Sequence, residues 1–287
     1  MPYVMTRDRT LLFVKEWGSG TPVVLIHGWP LTADTWDDVA LGVARAGFRA
    51  IAYDRRGFGR SDQPWVGYDY DTLADDLATV LKETESHEAT LVGFSMGGGE
   101  VARYLSRHEG KDVARAVLIG SVVPHLAKSE WNPDGVDPAL LAEMGEGIEK
   151  DRPHFLSGFF KDFYGVGMMN RPVSQEVLDW SLAMAMQAGL HPTLACARAF
   201  GTTDFRPDLP AFNVPTLFLH GTADKTVPID ATARIAAARI PGADFIEYDD
   251  GPHGLLATHK DEVLADLLSF LGAPLPESLR GPGATVI

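Results

Sequence analysis

The segment Leu91-Val92-Gly93-Phe94-Ser95-Met96-Gly97-Gly98 reads as an apolar strand entering a tight turn, followed by a helix expected from Glu100 to Arg107. A Gly-x-Ser-x-Gly match between strand and helix is the setting of a nucleophile elbow. Ser95 must sit in a strained turn there, and side chains two residues before or after it would collide where strand and helix approach. Gly93 and Gly97 remove those clashes. The helix directs its N-terminus at Ser95, so the Met96 amide is placed to stabilise an oxyanion. The overlapping Gly97-Gly98-Gly99-Glu100-Val101-Ala102 fits a loose dinucleotide pattern. The next strand, however, ends at Gly120-Ser121 and not in an acid that could hold a ribose, which argues against nicotinamide binding.

Outward from this strand, β-branched apolar runs recur with helical segments between them, the pattern of an α/β protein with a mostly parallel central sheet and helices on both faces. Strands are predicted at Thr10 to Val14, Val23 to Ile26, Ala50 to Tyr53, Thr90 to Phe94, Ala116 to Ile119, Thr216 to Leu219 and Phe245 to Tyr248. Leu73, Leu77, Val80 and Leu81 share one helical face, as do Val263, Leu264, Leu267 and Leu271. Between residues 122 and 212 the alternation breaks. Pro and Gly interrupt segments that carry Phe155, Phe159, Phe160, Phe163, Met168, Met169, Met184 and Met186, which suits a helical insertion able to roof a site. The expected division is therefore a core of residues 1–121 and 213–272, an insertion of 122–212 and a tail of 273–287.

A serine nucleophile needs a base, and the base an orienting acid. Asp224 follows one predicted strand in His220-Gly221-Thr222-Ala223-Asp224, and His253 follows another in Gly251-Pro252-His253-Gly254. Both lie past the C-terminal ends of their strands, as Ser95 does, at the edge where open α/β sheets gather ligands. Asp249 and Asp250 are fallbacks, awkwardly close to His253. His27 and His220 also end strands and are read as structural, as is Asp54 in the charged turn Asp54-Arg55-Arg56-Gly57. A second oxyanion donor is expected from His27-Gly28-Trp29-Pro30, where the Trp29 amide is available and Pro30, lacking an N–H, sets the path of the turn.

The bulk properties narrow the partners. A formal charge of −14 repels polyanions and argues against nucleic acid and anionic membranes. Cys196 is the single cysteine, so no intrachain disulfide or thiolate cluster can form. No metal site is expected: His87-Glu88-Ala89-Thr90-Leu91 has leucine where the second histidine of a zinc motif belongs. Without a signal-like N-terminus or an apolar span, a cytoplasmic location is the default expectation.

With His27-Gly28-Trp29-Pro30, Tyr53-Asp54-Arg55-Arg56-Gly57-Phe58-Gly59-Arg60-Ser61-Asp62, Gly93-Phe94-Ser95-Met96-Gly97-Gly98-Gly99-Glu100 and Ala223-Asp224-Lys225-Thr226-Val227-Pro228, the chain resembles the bacterial cofactor-free haloperoxidases. These non-haem chloroperoxidases, or perhydrolases, are kin of arylesterases within the α/β-hydrolase superfamily. The resemblance covers residues 3–271. It implies an α/β-hydrolase fold with a helical cap, Ser95, Asp224 and His253 as triad, and the Trp29 and Met96 amides as oxyanion hole. It also implies Phe200 and Val227 as acyl-pocket residues, no cofactor, and homo-oligomers, often trimers. Trp-Pro at the oxyanion turn is linked by the same resemblance to members that use peroxide, which places Pro30 at the substrate pocket.

The expected reaction is attack of Ser95 on the carbonyl of a small ester or carboxylic acid, giving an acyl-enzyme that water or hydrogen peroxide resolves. Alternatives are a plain carboxylesterase, arylesterase, lactamase or amidase, and a ligand receptor without turnover. Dehalogenase and epoxide hydrolase chemistry would need aspartate where Ser95 stands.

Overall fold

The structure, a computed structural model, describes residues 2–274. Its strands are β1 (Tyr3–Met5), β2 (Leu11–Gly18), β3 (Pro22–Ile26), β4 (Arg49–Tyr53), β5 (Ala89–Phe94), β6 (Val113–Ile119), β7 (Thr216–Gly221) and β8 (Asp244–Tyr248). They form one sheet in the order β1-β2-β4-β3-β5-β6-β7-β8. The pairs β1/β2 and β2/β4 are antiparallel and all others parallel. Every residue of β3, β5 and β7 is buried, as expected of parallel strands covered on both faces. Seven strands overlap the predicted runs, with β2 running four residues further and β6 starting three residues earlier, and β1 was not predicted. It is three residues long with only Val4 buried, too short for an alternation to register.

The helices α1 (Asp37–Arg45), α2 (Tyr70–Glu83) and α3 (Met96–Arg107) connect the first parallel strands. The chain steps from β3 to β4 in one direction and returns past β3 to β5, so right-handed crossovers put α1 on one face and α2 and α3 on the other. The neighbours β3 and β5 thus send their following segments to opposite faces, and a crevice opens beyond their C-terminal ends. Trp29 and Ser95 stand at those two ends.

Between β6 and β7 lie α4 (Pro138–Phe163), α5 (Gln175–Ala185) and α6 (Leu190–Thr202). α4 is two helices in series. Pro153 breaks the hydrogen-bond ladder, and Asp151, at φ −159° and ψ 82°, leaves helical geometry and accepts the His154 N–H at 3.1 Å. Met168 and Met169, anticipated among the apolar residues of this region, are 99% and 100% exposed in the loop after α4. That loop leaves the helix through Gly165, and no neighbouring element covers it. The chain then forms α7 (Ala233–Arg239), α8 (Leu255–Thr258) and α9 (Lys260–Phe270), with α9 packed on α1. Of the expected tail, residues 275–287 lie outside the described residues.

Candidate active site

α3 begins at Met96, four residues before the predicted start, although Gly97, Gly98 and Gly99 are poor helix formers. Packing overrides propensity there. A Cβ on Gly93 would stand 2.5 Å from the Gly97 carbonyl oxygen, and one on Gly97 would stand 2.5 Å from that of Ile26, so α3 can reach the sheet only through glycines. Ser95 joins strand to helix at φ 54° and ψ −118°, a left-handed conformation that costs about 1–3 kcal/mol. The turn holds Oγ away from both elements.

His253, between β8 and α8, presents Nε2 to Ser95 Oγ at 2.9 Å, and its Nδ1 faces Asp224 Oδ2 at 2.6 Å. All three side chains are buried or nearly so. Asp224 Oδ1 accepts the N–H groups of Thr226 and Val227 at 2.9 and 2.8 Å, which fixes the carboxylate plane. Burial opposes its charge, but the electrostatic attraction of His253 and hydrogen bonds from His220 and His253 prevail, holding Asp224 well below the usual carboxylate range. The acid therefore stays ionised and orients the ring with Nδ1 protonated and Nε2 free to accept. Two aromatic rings also hold the imidazole: Phe94 stacks at 5.1 Å between centroids, and Phe163 of α4 meets it edge-on at 4.8 Å. The Phe163 carbonyl accepts the Gly254 N–H at 2.8 Å. Among the described residues the His253 ring hydrogen-bonds to Asp224 and Ser95, and neither Asp249 nor Asp250 bonds to it.

The turn after β3 faces the start of α3. Its Leu31 N–H bonds to the Gly28 carbonyl at 3.0 Å across a cis Trp29–Pro30 peptide. Neither the Trp29 nor the Met96 N–H donates to another group among the described residues. The Trp29 indole donates to the Thr193 carbonyl of α6 at 3.0 Å, tying the turn to the inserted helices. A buried ion pair braces the turn from below. Arg55 pairs with Glu100 of α3 and donates to the His27 carbonyl at 2.6 Å, while Tyr53 Oη donates to Glu100 at 2.7 Å. Burial and the Arg55 charge push the His27 pKa well down, so the ring is neutral. It accepts the Arg55 N–H on Nε2 at 2.9 Å and donates from Nδ1 to the Gly28 carbonyl at 2.9 Å. Asp54 is fully buried, accepting the Ala33 N–H at 2.8 Å and pairing with Arg60 at 2.7 Å.

Ser95 opens into a cavity of about 690 Å³. Trp29, Phe159 and Phe200 form an aromatic wall, with Phe159 and Phe200 edge-on to Trp29 at 5.4 and 5.5 Å. Val122 and Val227 contribute from the sheet side, and Leu140, Leu141 and Met144 from the first half of α4. Of the sequence-predicted residues, Ser95, Trp29, Phe200 and Val227 line this space. Pro30 is buried but does not line it.

Sequence reasoning missed two features. His220 was read as structural, yet its Nε2 lies 2.9 Å from the Val227 carbonyl and 3.3 Å from Asp224 Oδ2, inside the acid's own hydrogen-bond set. Its position at the end of β7, four residues before Asp224, was the available signal. The second is the contribution of α4, because nothing in its local periodicity tells which residues face Ser95. Among the described residues, no group of three or more His, Cys, Asp or Glu is arranged to hold a metal ion, and no helix is long and apolar enough to cross a membrane.

The alpha/beta hydrolase fold family matches the chain over residues 21–162. Non-heme chloroperoxidase CPO-A1 of Kitasatospora aureofaciens is 42% identical over 94% of this chain and 99% of its own length. The bifunctional esterase/perhydrolase DCH of Acinetobacter calcoaceticus is 39% identical over 94% and 99%. The crystal structure of a bromoperoxidase from Bacillus anthracis superposes with a TM-score of 0.90 at 42% identity, covering 94% of this chain and 98% of that one. The chain is therefore an enzyme of the α/β-hydrolase family and belongs to the group of the non-heme haloperoxidases and esterase/perhydrolases.

Proposed function

We propose that the chain transfers acyl groups from small carboxylic esters or acids through Ser95, with water or hydrogen peroxide as the acceptor. In this reading His253 takes the Ser95 proton as Oγ attacks the carbonyl, and the Trp29 and Met96 amides receive the developing oxyanion. Asp224 keeps the ring in the tautomer that accepts this proton and stabilises the imidazolium that results. Collapse expels the alcohol, or water when the donor is an acid, and leaves the acyl-enzyme. Attack by water then releases a carboxylic acid, and attack by hydrogen peroxide a peracid. No cofactor enters any step. Phe200, Val227 and the Trp29-Pro30 turn shape the acyl side, with the helices of residues 122–212 as a roof.

The observation that carries this reading is the unbroken relay Ser95–His253–Asp224, at 2.9 and 2.6 Å, opening into a largely apolar cavity. Assembly as a homo-oligomer and a cytoplasmic setting belong to the same proposal, the former checked by light scattering. The central test is Ser95→Ala assayed with p-nitrophenyl acetate and, separately, with acetate plus peroxide. Both activities should fall by at least about 10³-fold. Undiminished turnover of either would refute the mechanism. A plain esterase is the second reading, favoured by the largely apolar cavity, and would hydrolyse aryl esters without releasing peracid.

A further inference from the structure

Six described methionines outside the N-terminal strand fall into three environments. Met96 and Met184 are buried, Met168 and Met169 are wholly exposed, and Met144 is half-buried in the wall of the cavity that holds Ser95. Met186 is half-buried but does not line that cavity. We propose that the Met144 thioether is oxidised in the course of turnover by the peracid formed at Ser95. This rests on the perhydrolase reading above.

The chemistry requires only that reading's own product. The sulfur lone pair attacks the terminal peroxy oxygen of the peracid, and a sulfur–oxygen bond forms as the oxygen–oxygen bond breaks. The hydroxyl proton passes to the departing carboxylate, so a carboxylic acid leaves. Sulfur loses two electrons and the peracid gains them. A peracid released beside Ser95 meets the cavity wall before it is diluted into solvent, and confinement raises its effective concentration at Met144 far above that in bulk. Peroxide or peracid arriving from solution, by contrast, meets Met168 and Met169 first. The sulfoxide changes the site as well: it adds a strong dipole to a wall shared with Leu140, Leu141 and Phe155, where acyl chains would bind. Turnover with peroxide therefore raises KM for apolar donors and inactivates the enzyme progressively.

The test follows one-oxygen mass gain by peptide mass spectrometry in three samples, with released peracid measured in parallel. The samples are the active enzyme with butanoate and hydrogen peroxide, Ser95→Ala under the same conditions, and Ser95→Ala supplied with preformed peracid at the bulk level measured in the first. In the active enzyme Met144 should oxidise at least about fivefold faster relative to Met168 and Met169 than in the third sample. Peracid release with no such preference overturns the proposal while leaving the perhydrolase reading intact. Absence of peracid overturns both. Met144→Leu, with activity normalised to its own starting rate, should last at least about threefold longer during turnover with peroxide. Decay at the wild-type rate would refute the proposed inactivation.

Discussion

Replacing Asp224 with asparagine keeps the shape of the site and should abolish most of its activity, because the acid's two oxygens have different partners. Oδ1 accepts two backbone N–H groups, from Thr226 and Val227, while Oδ2 faces His253 Nδ1 at 2.6 Å. An asparagine must place its carbonyl oxygen where those two donors point. Its NH2 group then confronts His253 Nδ1. Two donors cannot share that contact, so the ring proton moves to Nε2 and points at Ser95 Oγ, 2.9 Å away. The lone pair that should receive the serine proton is gone. Loss of the correct tautomer is worth about 10³–10⁴ in kcat, or about 4–5.5 kcal/mol at the barrier. KM should change little, since Asp224 does not line the cavity. Because Asp224 is held well below the usual carboxylate range, the contrast should persist throughout neutral and mildly acidic assays. The measurement is steady-state hydrolysis of p-nitrophenyl butanoate, with thermal denaturation to verify folding. A folded Asp224→Asn enzyme within tenfold of wild-type kcat would refute the proposed role of the acid.

Three further outcomes follow from the packing. Glu100→Gln removes the charge facing buried Arg55 and should cost about 3–5 kcal/mol in urea unfolding, since it leaves an uncompensated cation beneath the Trp29-Pro30 turn; a loss under 1 kcal/mol, of the order of a surface pair, would contradict that account. Cys196 is fully buried, and burial pushes its thiol up to about 12, so thiol reagents should leave the native enzyme unlabelled at pH 8. Because its folded pKa is raised, native protein holds a proton the unfolded chain releases. Its contribution to stability is thus complete below the ordinary value of 9.0 and declines by up to about 1.4 kcal/mol per pH unit above it. Cys196→Ala should flatten that alkaline decline, and an unchanged slope would count against it. The apolar cavity should favour longer acyl groups: burying each methylene is worth up to about 0.8 kcal/mol, so kcat/KM for p-nitrophenyl esters should climb from acetate to hexanoate by up to about fourfold per carbon. A profile that falls beyond acetate would mean that the cavity does not receive the acyl chain.

The fold was legible because its signals are local. β5 and β7 are short, mainly apolar runs that each reach a glycine near the C-terminal end, Gly93 and Gly221, and the face of α2 repeats at helical spacing, so each declares itself within a few residues. Where the local signal was weak or opposed by packing, the reading slipped. β1 is too short to show a pattern, and α3 starts inside three glycines because close approach to Ile26 demands them. Met168 and Met169 are apolar by composition, but exposure depends on what lies opposite, which no local pattern encodes.

By itself the sequence determined which residues could meet. Ser95, Asp224 and His253 each follow a parallel strand of one mostly parallel sheet, and parallel strands deliver their C-terminal ends to a common edge. Only the tertiary structure decided how they meet. The 2.9 and 2.6 Å relay, the ring of His253 held between Phe94 and Phe163, the entry of His220 into the acid's hydrogen bonds and the Arg55–Glu100 brace all join segments far apart in the chain. The cavity wall from α4 is decided in the same way. A strand or helix is specified by the period of its own residues, whereas a contact between elements depends on side-chain volumes and backbone approach on both sides at once.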